Sequence, residues 1–188
     1  MVPDELTNFF TAAASAAGAL VGLTFVAISV SSGRLAESAD TQLYRLRATT
    51  SLTAFTNAFA VSMFALISAT SLAWVTTVVA VSGLSFVAGS LVSLVRVRGL
   101  RRDDLFEVLF LVGLAATFVV QLVAGIALIR DAGATDVVRT IASLIVAFFL
   151  IGIDRAWRLI GGPSMGLGDE VTKLFTAGRP DSEPLDRG

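Results

Sequence analysis

The chain has 188 residues, of which 55% are apolar and 15% are charged, and its net charge is −1. Soluble domains carry about 25% charged residues, so the composition departs from theirs, but the distribution of the apolar residues is what decides the class. Because the sequence contains no Cys and no His, it excludes disulfides, thiolate chemistry and Cys/His metal sites. The lack of a basic excess argues against a nucleic-acid partner.

Apolar runs long enough to cross a hydrocarbon core about 30 Å thick alternate with charged segments. They predict an all-α bundle of five transmembrane helices within residues 1–160, with no soluble domain. The predicted spans cover residues 9–31, 48–69, 74–95, 105–129 and 137–158. Asp4 and Glu5 stand where a signal peptide needs positive charge, so we expect the first span to be retained.

The polar segment 34–47 follows the first span, and a helix start is predicted at Asp40 and Thr41. Residues 48–95 then contain no charged side chain. A straight helix of this length would measure about 72 Å, far more than one crossing. The segment is therefore predicted to form a hairpin, with its turn at residues 68–71 and Trp74 at a membrane interface.

The fifth span has the weakest signal of the set. Asp136 is suited to cap its start, but only residues 140–153 separate Arg139 from Asp154. It crosses only if the flanking arginines reach opposite interfaces, and a re-entrant or interfacial segment is the alternative. Residues 161–188 are predicted to be a cytoplasmic tail with a short amphipathic helix at 169–177 and a disordered end.

The distribution of basic residues predicts the orientation. Five crossings place 12 of the 14 basic residues on one side, leaving Arg130 and Arg139 on the other. The positive-inside rule then puts the amino terminus outside and the carboxyl terminus in the cytoplasm. Arg outnumbers Lys 13 to 1, which favours GC-rich coding, and we interpret the chain as a multi-pass protein of a bacterial inner membrane.

A stripe of mostly small residues runs along the first span at alternating spacings of four and three. Its candidate packing or pore-facing members are Thr11, Ser15, Gly18, Gly22 and Ser29. Small residues let helices approach closely in lipid. The stripe is predicted to pack either against other helices of the same chain or between protomers. The segment 17–29 also resembles the first span of many small bacterial membrane proteins, a resemblance that implies no activity.

Further candidates lie in the later spans. Ser82, Ser85, Gly89 and Ser93 share one face of the third span, and the fourth span has Gly113, Thr117, Gln121 and Gly125 at intervals of four. Both faces are interpreted first as packing faces and second as walls of a water path. Asn57 and Gln121 are the strongly polar residues within the spans. Asn57 is expected about 15 Å from Arg47 along its helix, and Gln121 about 25 Å from Asp104. These unequal depths predict that the two amides do not touch each other without a shift in helix register.

Charged residues are predicted at the interfaces. Glu107 is expected to pair with the arginine cluster formed by Arg96, Arg98, Arg101 and Arg102, and Asp154 with Arg158. The cluster itself is a candidate site for anionic lipid headgroups. Because neither acid is placed in mid-membrane, the sequence argues against proton-coupled transport.

Three functional hypotheses follow. The first is a homo-oligomeric membrane protein, with a small channel or pore as its specific form. The second is a non-catalytic accessory or scaffold subunit of a larger membrane complex. The third and least favoured is an enzyme acting on lipids, since no base neighbours a candidate nucleophile. No cofactor or metal is predicted, and membrane lipids and other membrane subunits are the expected partners.

Overall fold

A computed structural model describes residues 4–35, 41–98 and 105–159, and these residues form five α-helices. The helices are α1 (Asp4–Leu35), α2 (Thr41–Ala65), α3 (Ala69–Arg98), α4 (Leu105–Arg130) and α5 (Thr135–Leu159). The predicted all-helical architecture is confirmed. The arginines at 101 and 102 and the tail with its predicted helix at 169–177 lie outside the described residues.

Four helices are long and apolar enough to cross a membrane, namely α1, α3, α4 and α5. The segment predicted as the weakest span, α5, is therefore among the four. The helix that falls outside this group is α2, whose sequence is rich in Thr, Ser and Ala and includes Asn57. Its neighbours explain this composition, because α2 contacts α1, α3 and α5 and is partly screened from the surroundings.

The connections between helices depart slightly from the sequence prediction. Helix α2 starts at Thr41 as predicted, but the turn to α3 lies at residues 66–68, earlier than the predicted 68–71. Ser68 caps α3, since its Oγ accepts a hydrogen bond from the backbone N–H of Ser71 at 3.1 Å. The turn is thus followed by a helix with a Ser cap and contains neither Gly nor Pro, the residues that indicate a turn most clearly in a sequence. Helix α5 starts at Thr135, so Asp136 lies in its first turn rather than at the cap.

Close glycine contacts assemble the bundle as two tight helix pairs. A Cβ atom added at Gly125 of α4 would lie 2.9 Å from the backbone nitrogen of Thr77 in α3. A Cβ atom at Gly152 of α5 would collide with the ring of Phe55 in α2. Because the absence of side chains permits these approaches, α3 is held against α4 and α2 against α5. The aromatic core lies between the pairs, with Phe118 and Phe148 4.9 Å apart between ring centroids.

Candidate functional site

The centre of the bundle contains a pair of side-chain amides that join α2 to α4. Asn57 Nδ2 donates a hydrogen bond to Gln121 Oε1 at 3.0 Å, and Gln121 Nε2 donates to Asn57 Oδ1 at 2.8 Å. Both residues are 2% exposed. A second, longer bond of 3.5 Å runs from Gln121 Nε2 to the backbone oxygen of Thr76 in α3. The pair therefore connects three helices in the interior.

The prediction that Asn57 and Gln121 do not touch is wrong, and the ion pairs show why. Arg47 bonds to Glu107, so these two residues lie level with each other and are the reference points from which both depths are counted. Asn57 is ten residues beyond the first and Gln121 fourteen beyond the second. Measured from the Arg47–Glu107 pair, the depths of the two amides therefore differ by four residues, about 6 Å along a helix axis. The long Gln121 side chain spans this difference to reach Asn57.

A second buried cluster joins α2, α4 and α5 at one end of the bundle. Glu107 Oε2 accepts a bond from Arg155 Nη1 at 2.7 Å, and Glu107 Oε1 accepts from Arg47 Nη2 at 3.2 Å. The Arg155 side chain is 4% exposed and that of Arg47 is 28% exposed. The guanidinium carbon of Arg155 lies 3.2 Å from the ring centroid of Phe110, a cation–π contact. We call Arg47, Glu107 and Arg155 the ionic cluster.

The ionic cluster uses partners that sequence reasoning missed. The sequence predicts a pairing of Glu107 with the arginines at 96–102, of which only Arg96 has a described side chain, and that side chain is exposed. One signal for Arg155 was present: with Ile141, Ile145, Phe148 and Gly152 it follows the four–three spacing of the buried face of α5. The predicted pair of Asp154 with Arg158 is confirmed at 3.1 Å.

One further polar contact ties α2 to α5. Ser51 is fully buried, and its hydroxyl donates to the backbone oxygen of Gly152 at 3.0 Å. The carbonyl is reachable because Gly152 has no side chain to screen it. The polar groups of α2 therefore connect it to its neighbours at three levels, through Arg47, Ser51 and Asn57.

The small-residue stripe of α1 mostly faces away from the bundle. Thr11, Ser15, Gly22 and Ser29 are exposed, and the three hydroxyls donate to the backbone oxygen four residues earlier. Gly18 is half-buried, and a Cβ atom there would lie 3.6 Å from the ring of Phe59 in α2. The core-facing side of α1 is instead formed by Phe10, Ala13, Ala14, Ala17 and Thr24.

Comparison with protein-family models, curated proteins and solved structures gives no match.

The stripes of α3 and α4 are only partly buried. On α4, Gly113 is exposed, Thr117 is half-buried, and Gln121 and Gly125 are buried. A step of four residues turns about 40° around a helix, so strict intervals of four carry the stripe from the outer surface into the bundle. On α3, Ser82, Ser85, Gly89 and Ser93 are exposed. Within the described residues no group of three or more acidic side chains is placed to hold a metal ion.

Proposed function

We propose that this chain is a multi-pass protein of the bacterial inner membrane that self-associates through α1, with any water path lying between protomers as a small oligomeric channel. The observation that carries the proposal is the exposure of Thr11, Ser15, Gly22 and Ser29. Of the two packing partners that the sequence left open, another protomer fits an exposed stripe better than helices of the same chain. Small residues there would allow close contact between helices of two copies.

The interior of the bundle supports the choice of a path between protomers. The Asn57 and Gln121 amides bond to each other. The space beside them, lined by Val61, Ile145 and Phe148 among others, admits no water molecule. A water path through a single protomer would have to separate this pair, whereas a path between copies would leave it intact.

Five crossings and an external amino terminus are part of the proposal. Helix α2 has 25 residues, about 37 Å at 1.5 Å per residue, which suffices for a crossing. Its contacts with α1, α3 and α5 compensate for its lower apolar content. The excess of basic residues on the side of the 34–47 and 96–102 segments supports a cytoplasmic location for that side.

Single cysteines test self-association, since the native chain has none. In oxidised membranes, Gly22→Cys is expected to give a disulfide-linked dimer. Val123→Cys, on the 61% exposed outer surface of α4, is the matched control and is expected to remain monomeric. Equal cross-linking of both variants would contradict the α1 interface. A monomer in native mass measurements without conductance in bilayers would remove the oligomer and the channel, and a larger partner at fixed stoichiometry would select the accessory subunit.

The crossing of α2 is tested with a membrane-impermeant maleimide. Ile67→Cys, in the turn after α2 and 68% exposed in the native residue, is expected to react in intact cells. Gly33→Cys, near the carboxyl end of α1, is expected to react only after permeabilisation. Reaction of both from the same side would mean that α2 does not cross.

A further inference from the structure

A cleft of about 330 Å³ opens between α2 and α3 on the outer side of the bundle. It exists because the two tight pairs hold α2 against α5 and α3 against α4, which leaves the seam between α2 and α3 less closely packed. Leu52, Val79 and Phe86 contribute apolar walls, and none of the described residues that line it is charged. Its size falls in the range of small-molecule sites, about 300–1,000 Å³.

Three polar side chains of α2 line this α2/α3 cleft at positions that share one helix face: Thr53, Thr56 and Asn57. Asn57 is 2% exposed and uses one N–H in its pairing with Gln121. A side-chain amide has two N–H groups, and within the described residues the second one has no acceptor. Asn57 therefore brings a side-chain amide with an unused N–H to the lining of the cleft.

The two threonines also differ from other hydroxyl residues of the described helices, including Ser82, which lines the same cleft. Ser82, Ser85 and Thr117 each donate to the backbone oxygen four residues earlier, which satisfies a hydroxyl in lipid. Thr53 and Thr56 make no hydrogen bond within the part of the chain that the structure describes, and Thr56 is exposed. Their hydroxyls are available to a molecule in the cleft.

The depth of these donors restricts the class of ligand. Thr53 lies six residues and Asn57 ten residues beyond Arg47, about 9 and 15 Å along α2. In a core about 30 Å thick, the donors reach from below the headgroups to the middle of the membrane. A charged headgroup would be poorly solvated there, whereas a neutral molecule with an acceptor group would satisfy the donors.

From these observations we propose that the α2/α3 cleft binds a neutral, lipid-soluble molecule that presents carbonyl oxygens to donors among Thr53, Thr56 and Asn57. Each carbonyl oxygen accepts one or two hydrogen bonds, and the remainder of the molecule contacts Leu52, Val79 and Phe86 and extends into the bilayer. This inference rests on the membrane location of α2 in the proposed function, and it does not require self-association.

Binding is tested on the full-length protein in lipid nanodiscs, with empty nanodiscs as background. The probe is decylubiquinone, a neutral ring with carbonyl groups and an alkyl chain, and decylbenzene is the matched compound without an acceptor. We expect saturable binding of decylubiquinone and at least tenfold weaker binding of decylbenzene. Absence of saturable decylubiquinone binding, or equal affinity for both compounds, would overturn the proposal.

Substitutions locate the site. Thr53→Val with Thr56→Val keeps the side-chain shape and removes both hydroxyls, and it is expected to weaken decylubiquinone binding about tenfold. Thr117→Val with Thr140→Val is the matched control, because those hydroxyls donate to their own helix, and unchanged affinity is expected. Thermal unfolding of each variant verifies its fold. Unchanged affinity in the cleft variant, or an equal loss in the control, would place the ligand elsewhere. Dimer formation by Gly22→Cys is scored separately, so the two proposals can fail independently.

Discussion

Replacement of Glu107 by Gln tests whether the ionic cluster holds the bundle together. The substitution removes the negative charge that both Arg155 and Arg47 contact. Its shape is conserved, so packing changes little. The consequence for each arginine differs, because the Arg155 side chain is 4% exposed whereas that of Arg47 is 28% exposed.

The expected loss in the free energy of unfolding follows from this difference in the exposure of the two arginines. Breaking a buried ion pair from one side leaves a buried charge without compensation, which costs about 3–5 kcal/mol. A partly exposed pair contributes about 1 kcal/mol or less, since Arg47 can turn toward water or headgroups. We therefore expect Glu107→Gln to lower the free energy of unfolding by about 3–5 kcal/mol, most of it through Arg155.

Arg155→Met in the Glu107→Gln background separates charge from packing. The methionine removes the buried cation and keeps an apolar chain near Phe110, so the double variant should be more stable than Glu107→Gln alone. Unfolding in mixed micelles by a denaturing detergent, followed by tryptophan fluorescence, provides the assay, with Trp157 two residues from Arg155 as the nearest reporter. A loss below about 0.5 kcal/mol in Glu107→Gln, or no recovery in the double variant, would refute the reasoning.

Two further predictions concern packing inside the bundle. Asn57→Leu leaves the Gln121 amide without its main partner and is expected to lower the free energy of unfolding by about 1–3 kcal/mol. Adding Gln121→Leu should restore part of this loss, and a further loss of similar size would contradict the pairing. Gly125→Ala places a Cβ atom 2.9 Å from the backbone nitrogen of Thr77, so it should destabilise by about 1–3 kcal/mol. Gly113→Ala, where the added carbon has no atom of another described helix within 4 Å, should not destabilise, and equal unfolding curves for both variants would disprove the tight α3/α4 contact.

The helices of this fold could be predicted from the sequence because charge and apolar length are local properties. The uncharged segment 48–95 required a hairpin, and its observed turn at residues 66–68 differs from the predicted one by only a few positions. The turn carries a Ser cap instead of Gly or Pro, so the sequence gives it no strong marker.

The polar contacts were less predictable because they depend on which residues of different helices lie level with each other. The depths of Asn57 and Gln121 along their helices could be compared only through the Arg47–Glu107 pair, which connects positions 60 residues apart. Whether the α1 stripe is exposed or buried could not be predicted from the sequence either, because the same spacing of small residues suits packing within one chain and packing between chains. Which face of α1 turns inward is set by Phe10 and Ala17, both fully buried.

The composition of α2 also has a consequence for how the protein is made. A nascent segment enters the bilayer according to its own apolar content, and among the described helices α2 is the one whose apolar content falls short. Its partner in the tightest contact, α5, is synthesised last among the described helices. We therefore expect α2 to enter the membrane together with α3 as a hairpin. Until α5 has been synthesised and covers Ser51 and Phe55, we expect α2 to be the segment most accessible to chaperones and membrane proteases.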